Sequence, residues 1–276
     1  MKKLYALIPC LCLSVFFQHP SLALGEGETA AAQEVSVPVT ATPDFQSLLS
    51  EARFMAEASE WVGARDRYRA LLTLEGLPND LRETAQKEYE ALNMKILFSP
   101  VQTEESAVHV VEKGDNLYDI AKKYHTTVDL IRKSNLLTKD TIYPGQKLKV
   151  LKAELSLAVD RSANLLGLFA DGMLLKTYRV GTGKDDSTPI GRTEIVNKLE
   201  NPTWYNSGAV IPPDSPKNEL GTRWMGFSLQ GYGIHGTTAP ETIGKHESQG
   251  CIRMLNQDVE ELYLIVPAGT PVVIKE

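Results

Sequence analysis

The sequence has little cysteine. Two of its three cysteines, Cys10 and Cys12, lie in the first dozen residues, and only Cys251 stands beyond them. A lone thiol closes no intramolecular disulfide, which excludes a scaffold stapled by such bridges. Long apolar runs are missing as well. Leu4 to Phe17 falls short of the roughly 20 residues a membrane span needs, so stable membrane insertion is not expected. A strong excess of either charge is missing: 29 Lys and Arg against 35 Asp and Glu leave a net charge of −6, which argues against non-specific nucleic-acid binding as the main activity and is too mild to identify an acidic or basic partner. What remains is ordinary for a folded chain. With 42% hydrophobic and 23% charged residues, disorder is excluded, and 276 residues have room for one large domain or two to three small ones.

The first 23 residues read as a targeting segment. Lys2 and Lys3 form a positive start, an apolar run follows, and Ser21-Leu22-Ala23 offers small residues at a cleavage site. Retention of the segment as an anchor is the minor alternative. Pro9 and Leu11 precede Cys10 and Cys12, where a lipidation site needs a small residue. The segment therefore predicts export, to the periplasm or cell envelope. Residues 24–43 have no apolar period and read as a linker.

From 44 to 98 apolar residues recur at helical steps: Phe45, Leu48, Leu49 and Ala52, then Trp61, Ala64, Tyr68 and Leu71, then Leu81, Ala85, Tyr89 and Leu92. Asp44 is a candidate cap, and Gly76, Pro78, Asn79 and Asp80 separate the second helix from the third. The segment resembles one tetratricopeptide-type unit, although stacked repeats normally need about three for stability. Its stripe reads as helix core, with a partner groove as the minor alternative.

After a polar connector over 99–107, a module over 108–152 has the order strand, helix, helix, strand. Asp115 is its candidate first helix cap, Thr127 or Thr126 the second, and Lys147 to Leu151 its closing strand. Val111-x-x-Gly114-Asp115-x-Leu117-x-x-Ile120-Ala121, Asn135-x-Leu137 and Ile142-x-Pro144-Gly145-Gln146-x-Leu148-x-Val150 resemble a LysM domain, with Asn116 in place of the usual Thr or Ser. The resemblance implies binding of N-acetylglucosamine-containing glycan by Gly114, Asp115, Asn116 and Leu117, together with the loop from about Leu137 to Tyr143. Turn chemistry alone also accounts for the glycines and Pro144. His109 and His125 are expected on the module's surface.

From 153 to 276 short alternating strands dominate, among them Leu155–Val159, Leu165–Ala170 and 174–180. Asp171-Gly172 forms a hairpin turn, and one late helix runs from Asn256 to Ile265. This pattern predicts a mainly-β sandwich or barrel-like domain. Within it Cys251 sits in Ser248-Gln249-Gly250-Cys251-Ile252-Arg253-Met254, and His235 in Gly233-Ile234-His235-Gly236-Thr237. A thiol with an imidazole nearby is a candidate nucleophile and base.

These two clusters, with Val180-Gly181, Thr188-Pro189-x-Gly191, Asn201-Pro202 and Ile243-Gly244-Lys245, resemble the YkuD-type L,D-transpeptidase catalytic domain. The resemblance implies a thioester between Cys251 and the tetrapeptide stem of peptidoglycan, release of D-alanine, and transfer of the acyl group to an amine. His235 would stabilise thiolate as an imidazolium partner and then protonate the leaving amine. The carbonyl of Gly236 would orient the imidazole. The amides of Gly250 and Cys251 are candidate oxyanion donors, Ser248 supports the loop, and Arg253 binds a substrate carboxylate or clamps the loop. Trp224, Tyr232 and Thr237 are candidate substrate contacts, with core packing the default for Trp204, Tyr205 and Trp224. Gln249 stands where many relatives have His.

A zinc site from His235, His246 and Cys251 lacks the usual short ligand spacing, and His246 is expected in a surface loop, so no metal and no cofactor are assigned. The expected partner is peptidoglycan, with an envelope protein as a candidate acceptor and no nucleic acid. The same site also fits an L,D-carboxypeptidase, with water as acceptor, or a transferase that anchors an envelope protein. A wall-binding scaffold without catalysis is the alternative of a different class.

Overall fold

Asp44 starts the first helix by accepting the amide of Ser47 at 3.1 Å, satisfying one of the free donors of the first turn. The structure, a computed structural model, describes residues 44–276 apart from residue 207; the targeting segment and linker expected over 1–43 lie outside the described residues. Three helices follow, α1 (Phe45–Glu57), α2 (Trp61–Thr73) and α3 (Asn79–Leu97). Their apolar stripes close on one another around Leu49, Ala52, Ala64, Tyr68 and Ala85.

A single helical unit of this kind has an unpartnered flank, and here a sheet covers it. Along α3, Tyr89, Leu92 and Ile96 face the other helices, while Met94 and Leu97 enter the core of the C-terminal domain. The buried Asn93 donates to Leu175 O at 3.0 Å.

The segment over 108–152 forms β1 (Ser106–Val110), α4 (Leu117–Lys123), α5 (Val128–Ser134) and β2 (Lys147–Leu151), with β1 and β2 antiparallel. Asn116, not Asp115, caps α4: it accepts the Asp119 amide at 2.9 Å. Asp115 instead accepts the Glu112 amide and faces His109 Nε2, both at 2.8 Å. His109 is thus buried rather than superficial, because its carboxylate and Tyr124 partners enclose it. Thr127 caps α5.

The connector over 99–107 is packed rather than free, and β1 begins inside it. Ser99 and Glu105 are buried, Arg65 pairs with Glu105 at 3.1 Å, and Lys149 Nζ donates to Ile96 O and Ser99 O at 2.7 and 2.8 Å. Burial pushes the Lys149 ammonium down to about 8.

The C-terminal strands are β3 (Leu155–Asp160), β4 (Leu165–Ala170), β5 (Met173–Arg179), β6 (Thr182–Gly183) and β7 (Gly191–Glu200). They continue with β8 (Trp204–Asn206), β9 (Ala209–Ile211), β10 (Arg223–Phe227), β11 (Gly233–His235), β12 (His246–Ser248) and β13 (Ile252–Arg253), then α6 (Asn256–Ile265) and β14 (Pro271–Lys275). Eight of these strands form one sheet, in the order β13-β11-β10-β7-β14-β3-β4-β5.

The sandwich-like curl comes from β7. Its first residues, Gly191 to Glu194, pair with β14, whereas Ile195 to Glu200 pair with β10. A ten-residue strand that changes partner midway turns a corner in the sheet, as strands do where two sheet layers share them. Inside the curl, Val259, Leu262 and Ile265 of α6 are fully buried against Met225, Ile234 and Ile252. Among the described residues no helix is long and apolar enough to cross a membrane.

Candidate active site

Sheet register places the site. Leu199 of β7 opposes Trp224 of β10, Trp224 opposes His235 of β11, and His235 opposes Arg253 of β13. Residues opposite one another in a sheet share a face. These four therefore form a row on one face, while Met225, Ile234 and Ile252 point into the core beneath α6. The row lines a cavity of about 420 Å³, and Cys251, one residue before β13, lies in its wall. Trp204 and Tyr205 of the β8–β9 hairpin form another wall. Core packing is thus not the position of these aromatics: Tyr205 is 76% exposed, and Trp224 is stacked on His235 with ring centroids 6.0 Å apart. The Trp224 indole N–H donates to Asn197 Oδ1 at 3.0 Å.

His235 is buried, and its Nδ1 lies 2.6 Å from Gly236 O. A carbonyl only accepts, so Nδ1 carries the proton and Nε2 is the nitrogen free to take one. Burial pushes the imidazole down to about 4, the Gly236 carbonyl opposes that shift, and the Arg253 guanidinium adds to it. Burial also pushes the Cys251 thiol up, with the Gly233 amide and Arg253 pulling the other way. A resting thiolate–imidazolium pair is therefore not favoured, since both shifts disfavour the charged forms. Among the described residues no hydrogen bond joins Sγ to His235; the thiol donates to Gly231 O at 3.5 Å.

The loop carrying Cys251 is tightly tied. Gly250 has φ +119°, and a Cβ there would lie 2.7 Å from Tyr232 Cε1 and 2.9 Å from Ser187 O, so only glycine fits. Ser248 Oγ accepts the Gly250 amide at 3.1 Å and donates to Cys251 O at 2.6 Å. This corrects the shared oxyanion expectation: the Gly250 N–H is committed to Ser248, leaving the Cys251 amide as the candidate donor. Arg253 Nη2 donates to Glu219 Oε2 at 2.7 Å and ties the preceding loop to β13. Gln249 lines the cavity.

Two expected substrate contacts lie elsewhere. Tyr232 packs beneath Gly250 against the main core, and Thr237 is buried, its amide bonded to Asn256 Oδ1. His246 is exposed but bonded through Nδ1 to Thr182 and through Nε2 to Asn164, and it lies on β12 rather than in a free loop. In the other module Gly114 and Asn116 are exposed and Asp115 is half-buried. Leu117 is 3% exposed in the module core, so its side chain offers no sugar surface.

A family model described as the L,D-transpeptidase catalytic domain matches residues 155–274. YqjB of Bacillus subtilis (strain 168), named as an L,D-transpeptidase, is 42% identical over 124 residues, which cover 43% of this chain and 69% of that protein. YkuD of the same organism, also named so, is 34% identical over 171 residues, covering 59% of this chain and 96% of that protein. This chain belongs to the L,D-transpeptidase family. A LysM family model matches residues 109–151, so this L,D-transpeptidase carries a peptidoglycan-binding module ahead of its catalytic domain. The solved L,D-transpeptidase from Mycobacterium smegmatis aligns with a TM-score of 0.39 and 21% identity, covering 48% of this chain and 64% of that one.

Thr188 and Glu219 had no assigned role in the sequence pattern. Thr188 sits in the Thr-Pro-x-Gly motif, a signal that marked a position without its task. Its hydroxyl donates to Gly250 O at 2.9 Å and accepts the Gly183 amide at 2.8 Å, fully buried. Glu219 has no local signal, because its partner lies 34 residues away. Thr188→Val keeps the shape and leaves both backbone groups unsatisfied, which costs about 1–3 kcal/mol in this L,D-transpeptidase. Urea unfolding should show a lower midpoint at unchanged slope; an unmoved midpoint would refute the tie.

Proposed function

We propose that this L,D-transpeptidase is an exported, wall-associated enzyme that cross-links peptidoglycan through a Cys251 thioester. The reading is carried by one observation: Cys251 and His235, whose Nδ1 lies 2.6 Å from Gly236 O, line the same cavity. The Cys251 proton passes to His235 Nε2 as Sγ attacks the carbonyl between the third and fourth stem residues. A C–S bond forms, and the Cys251 amide is the donor available to the oxyanion. Collapse breaks the C–N bond, His235 returns its proton to the departing amine, and D-alanine leaves. A second amine then yields a proton to His235 and takes the acyl group, freeing the thiol. No step calls for a cofactor. The LysM module would hold the enzyme on glycan strands through the turn that exposes Gly114 and Asn116. Export is supported by the Lys2-Lys3 start, the apolar run and the Ser21-Leu22-Ala23 site.

Incubation with disaccharide tetrapeptides should release one D-alanine for each new interpeptide amide, read by product masses. Stems returned unchanged would refute the reading, and tripeptide without cross-links would move it to the carboxypeptidase.

The neutral resting pair has its own test. Only thiolate reacts with iodoacetamide, and a raised thiol pKa leaves the thiolate fraction climbing throughout the neutral range. Alkylation of Cys251 should therefore rise about tenfold per pH unit between about pH 6 and 8. A rate flat over that window would reveal a preformed ion pair.

A further inference from the structure

The proton on His235 Nδ1 is held by one backbone carbonyl, and among the described residues no carboxylate contacts that imidazole. A single carbonyl at the end of a strand is a weak means of fixing a catalytic base unless its own peptide group is fixed. Here it is. The Gly236 C=O and the Thr237 N–H belong to the same planar peptide unit. Asn256, the first residue of α6, accepts that Thr237 N–H on Oδ1 at 3.1 Å. The same oxygen accepts the Thr222 amide at 3.2 Å, from the loop entering β10.

We infer that Asn256 is a positioning residue that orients His235 through the Gly236–Thr237 peptide. The connection runs from His235 Nδ1–H to Gly236 O, across the peptide to Thr237 N–H, and on to Asn256 Oδ1. Hydrogen bonding at one end of a peptide polarises it and strengthens acceptance at the other. Asn256 is well placed to hold still. Its helix is anchored by Val259 and Leu262, both fully buried. The approach is close enough that a Cβ on Gly236 or on Gly221 would lie 2.2 Å from Asn256 Oδ1, so glycine at both positions leaves room for that oxygen. An amide oxygen has two lone pairs and meets two donors here, so the side chain is matched to its task. The inference rests on the reading of His235 as the base, but the tautomer it fixes is measurable without turnover.

Two variants test it. In Asn256→Ala the peptide loses its far acceptor. The ¹⁵N NMR spectrum of His235 should then lose its pure Nδ1–H form, and kcat should fall by about 10²-fold with KM nearly unchanged, the scale of a small misplacement of a catalytic group. In Asn256→Asp an acceptor oxygen remains and carries charge. The Nδ1–H tautomer should persist, kcat should stay within a few fold of wild type, and the acid limb of kcat should move upward, because a carboxylate at the far end favours imidazolium. An unaltered tautomer in Asn256→Ala would overturn the inference. So would an Asn256→Asp variant whose acid limb stays in place, which is the result a purely structural role predicts; this arm decides the matter if Asn256→Ala does not fold. A wild type with the Nδ1–H tautomer but no turnover of stem peptides would count against the proposed function alone.

Discussion

Cys251→Ala is expected to lower stem-peptide turnover by on the order of 10⁵-fold, the scale at which loss of a nucleophile removes the covalent route and leaves only binding and residual polarisation. The loss would come from chemistry, not from folding. Cys251 is half-buried in the cavity wall, and the loop around it is held by Ser248, Thr188 and the glycine at 250, none of which needs the sulfur. A thermal melt should therefore stay within about 2 °C of wild type, as for a substitution outside the core. Cys251→Ser should be nearly as inactive, because His235 would have to deprotonate a far weaker acid. Turnover surviving either change would remove the thioester from the account.

The second large effect is expected at His235. His235→Ala should reduce kcat by about 10³-fold, within the range that general acid–base catalysis contributes, while KM changes little. Its pH behaviour distinguishes a base from an ion-pair partner. With the imidazole pushed down to about 4, the base form is already complete at pH 6, so kcat of the wild type should be flat through neutrality and fall only as pH approaches about 4. Removing a neutral imidazole leaves thiol ionisation almost unchanged, so iodoacetamide should alkylate Cys251 in His235→Ala at nearly the wild-type rate at pH 7. A steep drop in that rate would mean that His235 had been holding a thiolate.

Local patterns were readable in the sequence wherever one segment decides its own conformation. The late helix spans Asn256–Ile265 as its apolar spacing predicts, β2 spans Lys147–Leu151, and Asp171-Gly172 turns with both residues at positive φ. The motifs also marked Cys251 and His235 as partners, and the structure brings both to one cavity.

Features set by distant pairing were not legible. The row from Leu199 to Arg253 exists only once four strands align, and nothing local tells β7 to change partner at Ile195. Neighbouring residues competed for one role in the LysM module: Asp115 and Asn116 both suit a cap, and the choice fell to Asn116 because His109 and the Glu112 amide engage Asp115. The resting charge state was hidden for the same reason. A Cys–His motif suggests an ion pair, whereas burial of the imidazole, visible only in the fold, favours the neutral pair. The polar stretch over 99–107 has the composition of a tether, yet Arg65 and Lys149 from other segments make it part of the packed body.

The central claim is that the acyl group resides on Cys251 between donor and acceptor. Intact-protein mass spectrometry, with tetrapeptide stem supplied and acceptor amine withheld, tests it most directly. The account predicts a mass gain equal to the tripeptide acyl group, mapped by peptide digestion to Cys251, with one D-alanine released per enzyme in the first turnover. Release of D-alanine with no adduct on the wild-type protein, and undiminished release from Cys251→Ala, would contradict it.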